Sequence, residues 1–310
     1  MNNNDVSKSW LGRFAALRVD QDAVKGRAPH KPLLFLAVLD LVEESQLVDG
    51  WVMLSADLVA RFQNFWPIVQ ERRAIRGDIR MPFHALSNDR VWDVFDAEGR
   101  PSKARETSVR AKVPDQLLAL LGDPAFRSAL RRLLIVTYFP APEQIALFAA
   151  LGFENAVNSL GLDEQAQALP VYRLARETGR SARFTNQVVS GYRFTCALTG
   201  YRITTAEQLG IVEAAHIHAL SSSRNNDSDN GLALTPTAHA LFDLGLWSVS
   251  DDLRIIVKPA KDFTEETPAG GFSLRGYGDR PLHLFEGVKL RPNLTHLAWH
   301  RRQHKFPAGL

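Results

Sequence analysis

The chain reads as an α+β protein: a mainly helical N-terminal domain with a short β-hairpin, then a smaller domain built as strand, loop and helix. Three observations predict this. Apolar residues recur at helical spacing through most of the first half of the chain. In the second half, Ile211, Val212 and Ile217 pattern a strand around His216, and an Asp/Ser/Asn-rich loop follows that contains Asn230-Gly231. Then comes Thr237-Ala-His-Ala-Leu-Phe-Asp-Leu, where His239 and Asp243, four apart, share one helix face. The 310 residues leave room for two ordinary cores. The expected division is 1–165 for the first domain, 166–190 for a linker and connecting helix, and 191–310 for the second domain.

Each element has a local reason. Pro29 stands where a first helical turn begins, and His30-Lys-Pro-Leu-Leu-Phe-Leu-Ala-Val-Leu-Asp-Leu continues it. Further helices are expected near 55–65, 114–122, 124–136 and 142–151. Two short strands, 82–86 and 90–95, flank Asn88-Asp89 as the hairpin. The polar segment 163–167 opens a connector, and 182–192 reads as a helix feeding the second domain. Beyond the strand–loop–helix unit, short strands alternate with Gly-rich turns. The Gly270-Gly271 and Gly276/Gly278 pairs lack a strand–helix frame and receive no phosphate-binding role. The end of the chain reads as a basic amphipathic helix that packs Trp299 inward. Its His296, His300 and His304 repeat every four residues, but no acidic or sulfur partner lies nearby in sequence, so they are read as structural.

Composition narrows the class. A hydrophobic fraction of 45% and a charged fraction of 23% are globular values. The net charge is only +3, but the basic residues are grouped: Arg72, Arg73, Arg76 and Arg80; Arg100, Lys103, Arg105, Arg110 and Lys112; and Lys289, Arg291, Arg301, Arg302 and Lys305. Such patches suit a polyanion, although any one of them also fits a solvated face. Cys196 is the only cysteine, so no disulfide within the chain and no cysteine-braced structural zinc is expected. The second domain must be held by packing, with Cys196 as a small buried hydrophobe. Met-Asn-Asn-Asn-Asp at the start lacks the features of a signal peptide, and the apolar run 33–39 is too short to span a bilayer. A cytoplasmic protein without a membrane partner is the expectation.

His216, Asn230 and His239, in that order on strand, loop and helix, resemble the HNH nuclease motif, the ββα-metal finger. The chemistry of phosphodiester hydrolysis asks for these residue types. A neutral imidazole, with an ordinary pKa of about 6.5, can take a proton from water. A hard divalent cation can balance the leaving oxygen. The resemblance implies that His216 is the general base, that Asn230 holds the finger together and orients His216, and that His239 with Asp243 binds Mg2+ or Mn2+. The residue before the base is commonly an acidic or histidine ligand in that family; here it is Ala215. Glu213, on the same strand face, is expected to supply the missing oxygen directly or through water.

The first domain carries a second signal. His30 and Lys31 occupy a helix N-terminus that is already partly positive, which is unfavourable unless an anion sits there or the side chains splay into solvent. Ala28-Pro-His-Lys-Pro-Leu-Leu, Met81-Pro-Phe-His-Ala-Leu with Trp92, and Leu133-Leu134 followed by Tyr138-Phe139-Pro140 resemble the sulfur-binding domain of type IV, modification-dependent restriction endonucleases. The resemblance implies double-stranded DNA in which sulfur replaces a non-bridging phosphate oxygen. Sulfur keeps the charge but is less hydrated than oxygen, so an apolar pocket accepts it at smaller desolvation cost. Pro82 and Ala85 would line that pocket, with Met81 where the family usually has an aromatic residue. His30, Arg27, Lys31, Arg73, Arg76 and Arg80 would hold the mark and the flanking phosphates. One finger cuts one strand, so a double-strand break needs two nicks or a homodimer, and the homodimer is the expectation. Rival readings keep the same residues: a finger inactivated by Ala215, or a nuclease for a methylated base, for unmodified DNA or of homing type.

Overall fold

The computed structural model describes residues 3–44, 47, 49–73, 77–153, 169–203, 211–268, 270–284 and 290–307. They fall into two compact units that divide between Arg183 and Phe184. Arg76, Lys289, the polar segment 163–167 and the expected domain junction at 165 lie outside the described residues.

The first unit runs α1 (Asn3–Ala15), β1 (Gln21–Asp22), β2 (Gly26–Arg27), α2 (His30–Glu43), β3 (Trp51–Met53), α3 (Ala56–Asn64), α4 (Trp66–Val69) and α5 (Arg80–Ala85). It continues with β4 (Asp93–Phe95), β5 (Arg110–Lys112), α6 (Asp115–Leu121), α7 (Pro124–Tyr138) and α8 (Ala141–Ala150). The run 33–39 is apolar at every position, so α2 has no face to offer water and becomes the central helix of the core. Aromatic rings pack around it: Phe14 on Phe35 at 4.4 Å between centroids, Phe35 on Trp92 at 6.0 Å and Trp92 on Phe83 at 5.2 Å. The charged residues that enter this core come with partners. Arg131 meets Asp40 and Glu43, and Arg72 meets Glu143 at 2.6 Å.

The hairpin expected at 82–95 is not there. Residues 80–85 are helical, and only 93–95 form a strand, which pairs with β5 in the antiparallel order β3-β5-β4. Pro82 is tolerated in a first turn because that position needs no intrahelical N–H. Phe83 and Leu86, three apart, are both buried, and Trp92 Nε1 donates to the Phe83 carbonyl at 3.0 Å. The helix is therefore fixed by core contacts that alternation along the chain does not reveal. A short hairpin does exist, between β1 and β2.

The anion demanded by the start of α2 is internal. Lys31 Nζ pairs with Asp89 at 2.6 Å and also donates to the Arg18 carbonyl at 2.7 Å. Asp89 in turn accepts the Arg18 N–H at 3.0 Å, and its side chain is almost fully covered.

The second unit takes in the later part of α9 (Pro170–Gly191), the helix expected at 182–192. There follow β6 (Glu213–His216), α10 (Leu220–Ser223), a 3-10 turn at Ser228–Asn230, β7 (Gly231–Leu234) and α11 (Pro236–Asp243). Strands β8 (Trp247–Val249) and β9 (Ile255–Val257) and the basic helix α12 (Leu294–Gln303) complete it. β6 and β7 pair antiparallel with His216 opposite Gly231, and α11 is capped by Thr235, whose Oγ1 accepts from the Ala238 N–H. Gly231 is required by close approach: a Cβ there would lie 2.3 Å from Val188 Cγ2 and 3.0 Å from Phe184. Cys196 is buried, as expected, and its sulfur accepts the Thr235 N–H at 3.4 Å.

Helix α12 is anchored by His300. Its ring stacks on Phe242 at 3.7 Å, Nδ1 meets Ser248 Oγ at 2.9 Å and Nε2 meets the Phe242 carbonyl at 3.1 Å. Burial lowers this imidazole to about 3, so it stays neutral. Trp299 is half-buried; Leu297, His300 and Arg301 are the inward residues of the helix. Among the described residues no helix is long and apolar enough to cross a membrane.

Replacing Lys31 with Met would leave the covered Asp89 carboxylate without its cation. We expect a loss of about 3 kcal/mol in chemical denaturation. A change under 1 kcal/mol would show that the pair does not tie α2 to the 86–91 turn.

Candidate active site and mark-reading surface

His216 ends β6, where strand pairing fixes its backbone. Its ring lies flat on Phe184 of α9, with centroids 3.9 Å apart and planes 9° from parallel. Nε2 is 3.0 Å from Asn226 Oδ1. With the amide oxygen facing the ring, Nε2 carries the hydrogen and Nδ1 keeps the lone pair. Burial holds the imidazole below its ordinary pKa, and nearby His239 pushes the same way; the bond to Asn226 and the charge of Asp243 oppose the shift. The result is a neutral ring near neutral pH with a defined basic nitrogen.

Asn230 is fully buried and holds the loop rather than the imidazole. Oδ1 accepts the His218 N–H at 2.8 Å, while Nδ2 donates to the carbonyls of His218 and Asn225, each at 3.0 Å. Its own carbonyl accepts the Ile217 N–H at 2.9 Å. The side chain that touches His216 is Asn226.

His239 lies on α11 between two carboxylates. Nδ1 is 2.8 Å from Glu213 Oε1, and Nε2 is 3.4 Å from Asp243 Oδ2. If Nδ1–H donates to Glu213, the Nε2 lone pair faces a carboxylate oxygen, and that contact is repulsive without a proton or a metal cation between them. The donors therefore suit a hard divalent ion held by few protein ligands, the remaining positions being water. Among the described residues no group of three or more histidine, cysteine or acidic side chains is arranged to hold a metal ion, so His239 and Asp243 are the two protein ligands on offer. His216, His239 and Asp243 all line one open cleft of about 440 Å3, with Trp299 and His304 on its rim. His304 packs on Gly245, whose φ of +66° and bare Cα admit the ring.

In the first unit, the exposed side of α5 carries Met81, His84 and Ala85, while Pro82 is turned into the core. His84 Nδ1 is 2.8 Å from Ser108 Oγ. His30 is half-buried beside Trp66, at 5.3 Å between centroids; burial lowers its pKa, with Arg73 the next cause. Arg27 donates to the Thr137 carbonyl at 2.9 Å, and Arg73 to the Arg72 and Gly26 carbonyls at 3.0 and 3.3 Å. Carbonyl partners leave a guanidinium's charge in place; at His30 the charges of Arg73 and Arg72 lower the pKa and Asp20 opposes them. Lys31 is neutralised by Asp89. Arg80, half-buried, opens α5.

Residues 196–250 match the family model described as HNH endonuclease, and residues 7–156 match that of the ScoMcrA-like DNA sulfur-binding domain. The chain joins an HNH endonuclease domain to a DNA sulfur-binding domain. Among solved structures it is similar to a "Modification dependent TagI restriction endonuclease", at 23% identity over 41% of this chain and 38% of that one, with a TM-score of 0.31. A likeness of that size carries no weight for fold or mechanism. No curated protein matches.

The HNH match spans both sides of the cleft, from the segment before β6 to β8. Two residues that touch His216 escaped sequence reasoning. Phe184 sits far upstream on a helix, and Asn226 sits in a loop whose polar residues look alike; neither has a spacing that points to the base.

Two outcomes follow for the HNH domain. In a histidine-resolved NMR titration, His216 should have a pKa below the ordinary value of about 6.5. The protonated form then grows in only as the pH falls further; a value at or above 6.5 would contradict the packing on Phe184. Glu213→Gln should weaken Mn2+ binding, read by electron paramagnetic resonance, about tenfold or more, because the carboxylate that fixes the His239 tautomer is lost. Unchanged binding would remove Glu213 from the site.

Proposed function

We propose that this chain is a modification-dependent restriction endonuclease, whose sulfur-binding domain captures phosphorothioated double-stranded DNA and whose HNH domain hydrolyses the backbone. The observation that carries the catalytic half is the shared cleft: His216, His239 and Asp243 line one space.

His216 Nδ1 takes a proton from a water molecule, and the oxygen attacks phosphorus as the bond to the leaving oxygen breaks. Phe184 and Asn226 hold the ring during that transfer. His239 and Asp243 would hold Mg2+ or Mn2+, with Glu213 behind His239, and the bound cation would supply positive charge to the scissile phosphate and the leaving oxygen. At the reader, Met81 and Ala85 offer apolar surface to the sulfur. Arg27 and Arg73, with their charges intact, attract the backbone whether or not it is modified. Two chains acting as a homodimer would cut both strands.

The test is cleavage of matched phosphorothioate, methylated and plain duplexes by the full chain with Mg2+, Mn2+ or no added ion. Sulfur-bearing DNA should be cut in preference, only with metal, and not by His216→Ala. Met81→Gln, similar in shape but polar, should reduce the preference for sulfur while leaving binding to plain DNA within about twofold. Equal cutting of plain and sulfur-bearing DNA would refute the reader, and cleavage by His216→Ala would refute the base.

A further inference from the structure

We infer that the first half of helix α12 positions the base: Asn293 and His296 hold the 217–230 loop so that Asn226 meets His216. The inference rests on His216 being the general base.

Asn226 has no strand or helix of its own. It lies in the loop between α10 and the 3-10 turn, and it fixes both the tautomer and the direction of the imidazole through one bond of 3.0 Å. Asn230 closes this loop from within. A loop closed only upon itself can still shift as a body relative to β6. What holds it from outside is α12, through three contacts spread along its length. At the near end, His218 stacks on Trp299, with centroids 3.9 Å apart and planes 21° from parallel. Directly before Asn226, Asn225 Nδ2 is 3.4 Å from His296 Nε2. Just after it, Asp229 is held twice by Asn293: its carbonyl accepts the Asn293 N–H at 2.9 Å, and its carboxylate accepts from Nδ2 at 3.0 Å. Asn226 is thus bracketed on both sides by residues tied to one helix.

The other half of α12 is fixed to the opposite wall of the cleft. His300 engages Phe242 and Ser248, and Arg301 donates to the Val249 carbonyl at 2.5 Å and pairs with Asp251. One rigid helix therefore spans from the loop beside the base to the end of α11, where Asp243 lies. It sets the spacing between the two sides of the cleft in a finger that has no disulfide to do so.

Two variants test this in the full chain. Asn293→Ser retains a good helix cap but is too short to reach the Asp229 carboxylate. His296→Phe keeps a ring and loses the bond to Asn225. Both should lower kcat about tenfold, part of the contribution of a positioned base, with KM for DNA within about twofold. In histidine-labelled protein, the His216 nitrogen shifts should move from a single Nε2–H tautomer toward a mixture; this readout reports on folded molecules and does not need turnover. Unchanged kcat and an unchanged His216 tautomer in both variants, while His216→Ala is inactive, would overturn the positioning role and leave the base intact. If His216→Ala cleaves normally, the base assignment itself fails.

Discussion

A single buried amide closes the finger. Asn230, itself fully buried, uses its oxygen and its NH2 group to satisfy three backbone groups of the loop that follows the first strand. With one cysteine in the chain, no cross-link holds this loop. Without Asn230 the His218 N–H and the Asn225 carbonyl would lose this partner, while the His218 carbonyl would keep the Ser223 hydroxyl. The neighbouring glycine completes the arrangement, because β7 runs so close to Val188 and Phe184 that no side chain fits. The same Phe184 then serves as the floor under His216. Loop closure, strand packing and the environment of His216 are thus consequences of the Asn230-Gly231 pair and the helix it packs against.

Charge placement divides the cations of the first unit into two kinds. Lys31, Arg61, Arg72 and Arg131 meet carboxylates, and their charges are absorbed within the fold. Arg27 and Arg73 bond to carbonyls and keep theirs. Counting basic residues in a sequence does not draw this distinction, although only the second kind produces a field that a phosphate backbone can feel.

The elements that were legible in the sequence are those set by local pattern. The run 33–39, the strand that ends at His216 and the helix that carries His239 and Asp243 follow from spacing and side-chain chemistry, whereas the second strand at Gly231–Leu234 and the Thr235 cap do not. The helix at 80–85 was misread as a strand because Pro82 and an apolar pair look alike in either form. Only the long-range packing of Phe83 and Leu86, and the pairing of 93–95 with 110–112, decide the matter. Likewise the rule that cations at a helix start need an anion was sound for Lys31. The anion is Asp89, brought close by the fold and not by sequence proximity. At the cleft, the sequence pointed to His216, His239, Asp243 and Glu213. It was silent on Asn226 and Phe184, which act on the imidazole through contacts that close only when loop and helix are in place.

If the proposed chemistry is right, His239 and Asp243 would hold a divalent ion in the cleft that His216 also lines. Anomalous diffraction from crystals soaked in Mn2+ addresses it directly. The expected result is a manganese peak on His239 and Asp243, with Glu213 still bonded to His239. A well-soaked crystal with no peak there, or one whose manganese sits on other residues, would contradict it.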